Sequence, residues 1–115
     1  MLRGEIRLVN LDPVVGSEAA KLRPAVIVSN DALNATTMSL ERGVVTVVPI
    51  TSNVKKVYPF QVHLPRESSG LRRESKAQAE QIRAVSIARI GDRVGRLSAD
   101  AQEQLNVALR LHLAL

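Results

Sequence analysis

Apolar residues along the chain recur mostly in short runs with the two-residue alternation of strands, separated by polar breaks rich in Gly, Pro, Asp or Asn. GEIRLVNL, from Gly4, predicts a strand in which Ile6 and Leu8 share a face with Asn10, ending at the turn pair Asp12-Pro13. A loop is expected from Asp12 to about Leu22. PAVIVSN (24–30) is β-branched and of strand length, and Asp31-Ala-Leu-Asn34 with the small polar residues after it reads as a turn or short helix. GVVTVVPI (43–50) is the most apolar stretch, and its Val content predicts a strand buried on both faces. TSNVKKVYP (51–59) is a basic loop. FQVHL (60–64) alternates inward Phe60, Val62 and Leu64 with outward Gln61 and His63, the pattern of a half-buried strand.

PRESSGLRRE (65–74) reads as a charged loop, whereas KAQAEQIRAVS (76–86) fits two elements. Its Ala and Gln favour a helix, but the alternation of Ala77, Ala79 and Gln81 permits a strand. At the end of the chain Ser98 is a good N-cap and Asp100 and Glu103 suit the first turn; Leu105, Ala108, Leu109 and His112 then follow at helical spacing. Val107, Leu111 and Leu113 widen the apolar surface of this terminal helix beyond one stripe. That predicts contact with something besides its own sheet, such as a second subunit.

With 115 residues the chain has room for one domain and one modest core, so residues 1–115 are expected to form a single domain. Tyr58 and Phe60 are the only aromatics, leaving Val, Ile, Leu and Ala to fill the core. The lack of cysteine removes disulfides, thiolate metal sites and a cysteine nucleophile. The N-terminus carries charges at positions 3, 5 and 7 where a signal peptide would be apolar, and no apolar run approaches the roughly 20 residues that span a bilayer. A soluble cytoplasmic protein with no membrane partner is expected. The formal charge of +5 attracts polyanions, although many small proteins are basic without binding any.

Phosphate-cradling, dinucleotide, zinc-protease and nucleophile-elbow motifs are all missing. The two histidines, His63 and His112, suggest neither a metal site nor a paired-histidine ribonuclease, and no cofactor is expected. What remains is a polar cluster at predicted strand ends: Ser17, Glu18, Lys21 and Arg23, then Thr51 and Ser52. Metal-free RNA cleavage needs a group that deprotonates or positions the 2′-hydroxyl, a proton donor for the 5′-oxygen, and donors for the charge gathering on phosphorus. A guanidinium fork and a Thr hydroxyl supply the last of these. Spacing alone favours reading Arg23 as a solvated loop cation and Thr51 as a turn residue.

Several ordered motifs bear on that choice. Asp12 to Glu18 reads D-P-x-x-G-[SH]-E and Arg23 to Ile27 reads R-P-[AV]-[VL]-[IV]; VVPITSN (47–53), YPF (58–60) and AEQIR (79–83) follow in order over nearly the whole chain. In these blocks the sequence resembles the MazF/PemK/Kid toxins of type II toxin–antitoxin systems. The resemblance implies a mainly β (α+β) fold, an SH3-like barrel of antiparallel strands (CcdB/PemK-like) with short helices and a C-terminal helix, and it favours a strand over 76–86. It further implies a homodimer with an RNA groove along the dimer face. The implied activity is metal-independent, sequence-specific cleavage of single-stranded RNA to 2′,3′-cyclic phosphate and 5′-hydroxyl ends, held in check by an acidic MazE-like antitoxin.

By the same resemblance Arg23 and Thr51 are the catalytic pair, and Ser17 and Glu18 hold or polarise the substrate from the first loop. Asn10, Ser52, Gln78, Glu80 and Gln81 complete the implied substrate-binding set. The PemK/Kid branch places an Arg and an Asp at the positions of Gln78 and Glu80, and a His at that of Ser17. Gln78 cannot serve as an acid. Glu80 is left as a candidate base, and Arg23 as the main electrophile. Because Tyr58 is the one aromatic expected at the surface, base reading would rest on hydrogen bonds and Arg planes from loops 51–59 and 65–75. These loops carry Lys55, Lys56, Arg66, Arg72 and Arg73, charges that fit a solvated rim equally well. Two rivals share the expected fold: a CcdB-like toxin that binds gyrase without nuclease activity, and a non-catalytic RNA-binding barrel.

Overall fold

A computed structural model describes residues 1–11 and 22–115. The predicted turn at Asp12-Pro13, most of the first loop, and Ser17, Glu18 and Lys21 lie outside the described residues. Seven strands and three α-helices are described: β1 (Glu5–Asn10), β2 (Leu22–Ile27), α1 (Asp31–Leu40), β3 (Val44–Thr51), β4 (Gln61–Leu64), α2 (Arg66–Ser69), β5 (Ser75–Gln78), β6 (Arg83–Ser86), β7 (Ile90–Arg96) and α3 (Ala99–Leu113). The strands pair antiparallel in the order β4-β5-β3-β2-β1-β7, with β6 also on β3, and curl into the SH3-like barrel.

The central strand β3 is buried on both faces, as its Val content predicts. Val48 and Ile50 join Ile6, Val26, Val62, Leu64, Ala77, Leu97 and Leu105 in the core under α3. Val45 and Val47 point the other way, with Val9, Leu11, Ala25, Ile27 and Val85. Strand alternation therefore feeds two apolar clusters from one segment.

Three sequence expectations change. The stretch 76–86 is not one strand, because β5 and β6 pair with different parts of β3 on either side of a 3₁₀ turn at Ala79–Gln81. Ile50 lies opposite Ala77, a register that would set Val47 opposite Glu80; Val47 instead faces Arg83, three residues later. The extra residues form the corner. Gln61, expected to face outward, is buried, with its side chain bonded to the Tyr58 N–H at 3.1 Å and to Glu80 at 2.7 Å. The charged loop contains α2, and β1, regular in its pairing with β2, buries Ile6 in the core under α3 and Val9 in the second cluster on its opposite face.

Helix α1 is capped by Asn30, whose Oδ1 accepts from the Leu33 N–H at 2.8 Å. It docks through polar side chains: fully buried Asn34 bonds both the hydroxyl and the carbonyl of Ser29, and Ser29 Oγ accepts from Thr46 N–H. The C-terminal helix starts at the expected cap, Ser98, and buries Ala101, Leu105 and Ala108, while Val107, Leu111 and Leu113 remain exposed. No helix among the described residues is long and apolar enough to cross a membrane.

Candidate active site

The β2–β3 ladder sets Ala25 opposite Pro49 and Val26 opposite Val48. Continued by two residues, that register would set Arg23 opposite Thr51, on a shared face of the sheet. Pro24 holds Arg23 in extended backbone, because the pyrrolidine ring disfavours the helical region for the residue before it. Thr51 ends β3. Its Oγ1 accepts a 3.2 Å bond from the Asn53 N–H, and Asn53 Oδ1 in turn accepts from the Lys55 N–H at 3.3 Å. The Thr51 O–H donates to no described residue, so its proton is available to a ligand.

Arg23 and Thr51 open onto a cleft of about 790 Å³, within the range of ligand sites. Its lining combines the polar Ser52, Arg72, Arg73 and Ser75 with the apolar Leu8, Leu22, Pro24, Ile50, Leu71 and Val94. Among the described lining residues there are three guanidinium groups and no carboxylate. The cleft therefore favours a polyanion whose backbone meets the arginines while less polar parts lie on the Leu and Ile side chains.

Arg72 and Arg73 reach the cleft because the segment after β4 is strapped to the sheet. Gly70, at φ +83°, ends α2 in the left-handed conformation that glycine adopts without penalty. Gly95 of β7 lets the Ser69 carbonyl pass so close that a Cβ there would lie 2.1 Å from its oxygen. The other end of the strap is held by Glu74, which accepts from the Arg66 N–H at 3.0 Å and pairs with His63 at 2.8 Å. His63 thus has a structural role. His112 is exposed on α3, and among the described residues no three His, Cys, Asp or Glu side chains converge to hold a metal ion.

Arg23, Thr51 and Ser52 are brought together, whereas Asn10, Gln78, Glu80 and Gln81 are not among the residues lining the cleft. Asn10 ends β1, with its carbonyl accepting from Arg89 at 3.2 Å and its buried Oδ1 without a described partner. Gln78 is paired with Gln61 across β4 and β5. Glu80 and Gln81 occupy the 3₁₀ corner, where Glu80 Oε2 accepts from Gln61 and Oε1 is buried without a described partner. Ser75 and the seating glycines Gly70 and Gly95 were not singled out from sequence. The available signal was the Gly-Leu-Arg-Arg run, a turn residue directly before paired cations.

Comparisons with known proteins identify the family. The chain is 57% identical over its full length, and over 98% of the relative's, to the Mycobacterium tuberculosis protein named endoribonuclease MazF9. It is 31% identical to Bacillus subtilis endoribonuclease EndoA, covering 98% of this chain and 94% of that one. A crystal structure of MazE–MazF from Deinococcus radiodurans superposes with a TM-score of 0.80 at 26% identity, over 100% of this chain and 96% of the other. Residues 2–113 match the family described as PemK-like, MazF-like toxin of type II toxin–antitoxin system, and the chain belongs to that family.

Proposed function

We propose that the whole chain acts as one toxin endoribonuclease domain and cuts single-stranded RNA, with the scissile phosphate held between Arg23 and Thr51. The observation that carries this reading is the cleft in which those two residues meet Arg72 and Arg73. The 2′-oxygen, losing its proton, attacks phosphorus, and the bond to the 5′-oxygen breaks as that oxygen gains a proton. The products are a 2′,3′-cyclic phosphate and a 5′-hydroxyl. Arg23 and the Thr51 hydroxyl donate to the non-bridging oxygens as their charge grows, so both bind the transition state more tightly than the ground state. Arg72 and Arg73 hold neighbouring phosphates. The chemistry proceeds on protein groups without a metal, in the cytoplasm.

The same cleft suits an acidic antitoxin segment, which competes with RNA by offering carboxylates to the same cations. The exposed Val107, Leu111 and Leu113 support a homodimer in which a second copy covers this face. The test is incubation of the purified protein with a long single-stranded RNA in EDTA, beside Arg23→Ala and Thr51→Ala, followed by sequencing of the fragment ends. Discrete cuts with 5′-hydroxyl ends, reduced at least about a hundredfold in each variant, are expected. Intact RNA over a panel of sequences, with growth arrest retained, would instead favour a gyrase-type toxin.

A further inference from the structure

Lys76 is a lysine in an unusual place. It lies in the middle of β5, opposite Thr51 of β3 on one side and His63 of β4 on the other, so these three side chains share a face. Directly opposed Cβ atoms in such a pair are about 5 Å apart, which sets the Lys76 stem against Thr51. A lysine on an open sheet face would extend into water. Lys76 is only 8% exposed, because the 52–60 loop folds back over it.

Its Nζ donates to the Lys56 carbonyl at 2.6 Å and lies 6.0 Å from the centre of the Tyr58 ring. Lys56 Nζ sits 4.7 Å from the same ring, and the ring is stacked on Phe60 at 5.3 Å with an interplanar angle of 3°. The loop is thereby fastened at three points: its start by the Thr51–Asn53 bond, its middle by Lys76, and its end by the Tyr58–Gln61 bond. Without the middle fastening, the two short side-chain turns that hold the Thr51 hydroxyl would be tied at one end only.

We propose that Lys76 is a positioning residue for RNA cleavage, fixing the Thr51 hydroxyl by holding the loop that follows it. The proposal rests on Thr51 acting in the reaction as described above. Lys76 is not among the residues lining the cleft, so its effect passes through the loop and not through contact with RNA.

The chain contains one Tyr and no Trp, so its intrinsic fluorescence reports on Tyr58, inside the loop concerned. The experiment compares wild type with Lys76→Met, which keeps the apolar stem, and Lys76→Arg, which restores a cationic donor. The readouts are thermal unfolding, acrylamide quenching of Tyr58, and single-turnover cleavage of an oligoribonucleotide containing the cut site. Lys76→Met is expected to raise the quenching and to slow cleavage about ten- to a hundredfold, with apparent RNA affinity within about threefold of wild type. Lys76→Arg should recover most of both. In a Thr51→Ala background Lys76→Met should cost little more, since a group acting through Thr51 has nothing left to position.

Unchanged Tyr58 quenching, unchanged cleavage, or a penalty that multiplies fully with that of Thr51→Ala overturns the proposal. So does a loss confined to affinity with a weaker salt dependence, which would make Lys76 a direct phosphate contact. Should Met at this position unfold the chain, Lys76→Gln, which shortens the arm but keeps a donor, carries the same comparison. A wild type that leaves RNA intact overturns the ribonuclease reading and this proposal together. A wild type that cuts while Lys76→Met matches it overturns this proposal alone.

Discussion

Gly95→Ala tests whether the arginine-bearing strap is held by backbone contact. The added Cβ would meet the Ser69 carbonyl oxygen at 2.1 Å, the Ser69 carbonyl carbon at 3.2 Å and Gly70 Cα at 3.6 Å. Real Cβ atoms essentially never approach another heavy atom closer than 3.0 Å, so α2 and β7 must separate by the difference, about 0.9 Å or more. The obstacle is a carbonyl with no rotamer to change, so the strain is relieved only by moving backbone. Overpacking of this kind costs about 1–3 kcal/mol. In a chain of this size the melting temperature should fall by roughly 4–15 °C.

The displacement passes along the strap to Leu71, Arg72 and Arg73 in the cleft. A misplacement of about 1 Å in a positioned group costs up to about a hundredfold in rate. Far-UV circular dichroism gives the melting temperature, and RNA cleavage is then assayed well below it, so that loss of fold and loss of geometry separate. A variant with wild-type melting and wild-type cleavage would refute the seating of the strap on β7. One that melts early but cuts normally when folded would show that the strap matters to stability alone.

Removing the cations themselves, by Arg72→Ala with Arg73→Ala, should raise KM and lower the slope of log KM against log salt by about 1.4, near 0.7 per phosphate contact on a single strand; an unchanged slope would place both arginines off the RNA. Acid stability should depend on Glu5. Burial alone would raise the pKa of this carboxyl, but the hydrogen bonds from Arg7 and the Leu2 N–H, with the charges of Arg7 and the N-terminus, outweigh it and hold the group below its ordinary 4.5. A depressed carboxyl contributes stability that is present above the unfolded value and lost as pH falls through the folded one. The stability gap between wild type and Glu5→Gln, followed by denaturant titration, should therefore be widest near neutrality and shrink below pH 4.5; a gap independent of pH would show that the Arg7 contact contributes no charge-dependent stability.

Elements whose burial follows one chemical rule were legible in the sequence. Six of the eight residues of β3 are apolar and fall on both of its faces, and α3 carries a cap, an acidic first turn and a helical stripe. Elements held by other means were legible in part at best. Helix α1 docks through Asn34 and Thr37 without a buried apolar stripe, so the sequence left a turn and a short helix both open. Strand β7 lacks alternation because glycine fills two of its positions against neighbouring backbone: at Gly91 a Cβ would sit 3.0 Å from the Leu8 carbonyl oxygen, and at Gly95 closer still to that of Ser69. The corner at Ala79–Gln81 is a difference in register between two pairings with β3, a relation between distant segments that periodicity within 76–86 cannot express.

The candidate site divides along the same line. Arg23 and Thr51 reach one cleft because β2 pairs with β3, and neither segment alone carries that information. Resemblance to a family supplied it, through blocks placed in order over the chain. Resemblance could not supply the fastenings, because they are made to backbone carbonyls: Gly95 leaves room for that of Ser69, and Lys76 binds that of Lys56. A carbonyl is present at every residue, so a contact to it leaves no pattern in its partner's identity and shows in sequence only as an oddly placed glycine or lysine. On this argument the residues that set the precision of the cleft are those whose identity breaks the local rule, a glycine within a strand and a lysine beneath a loop. Substituting them should change cleavage more than their distance from the scissile phosphate suggests.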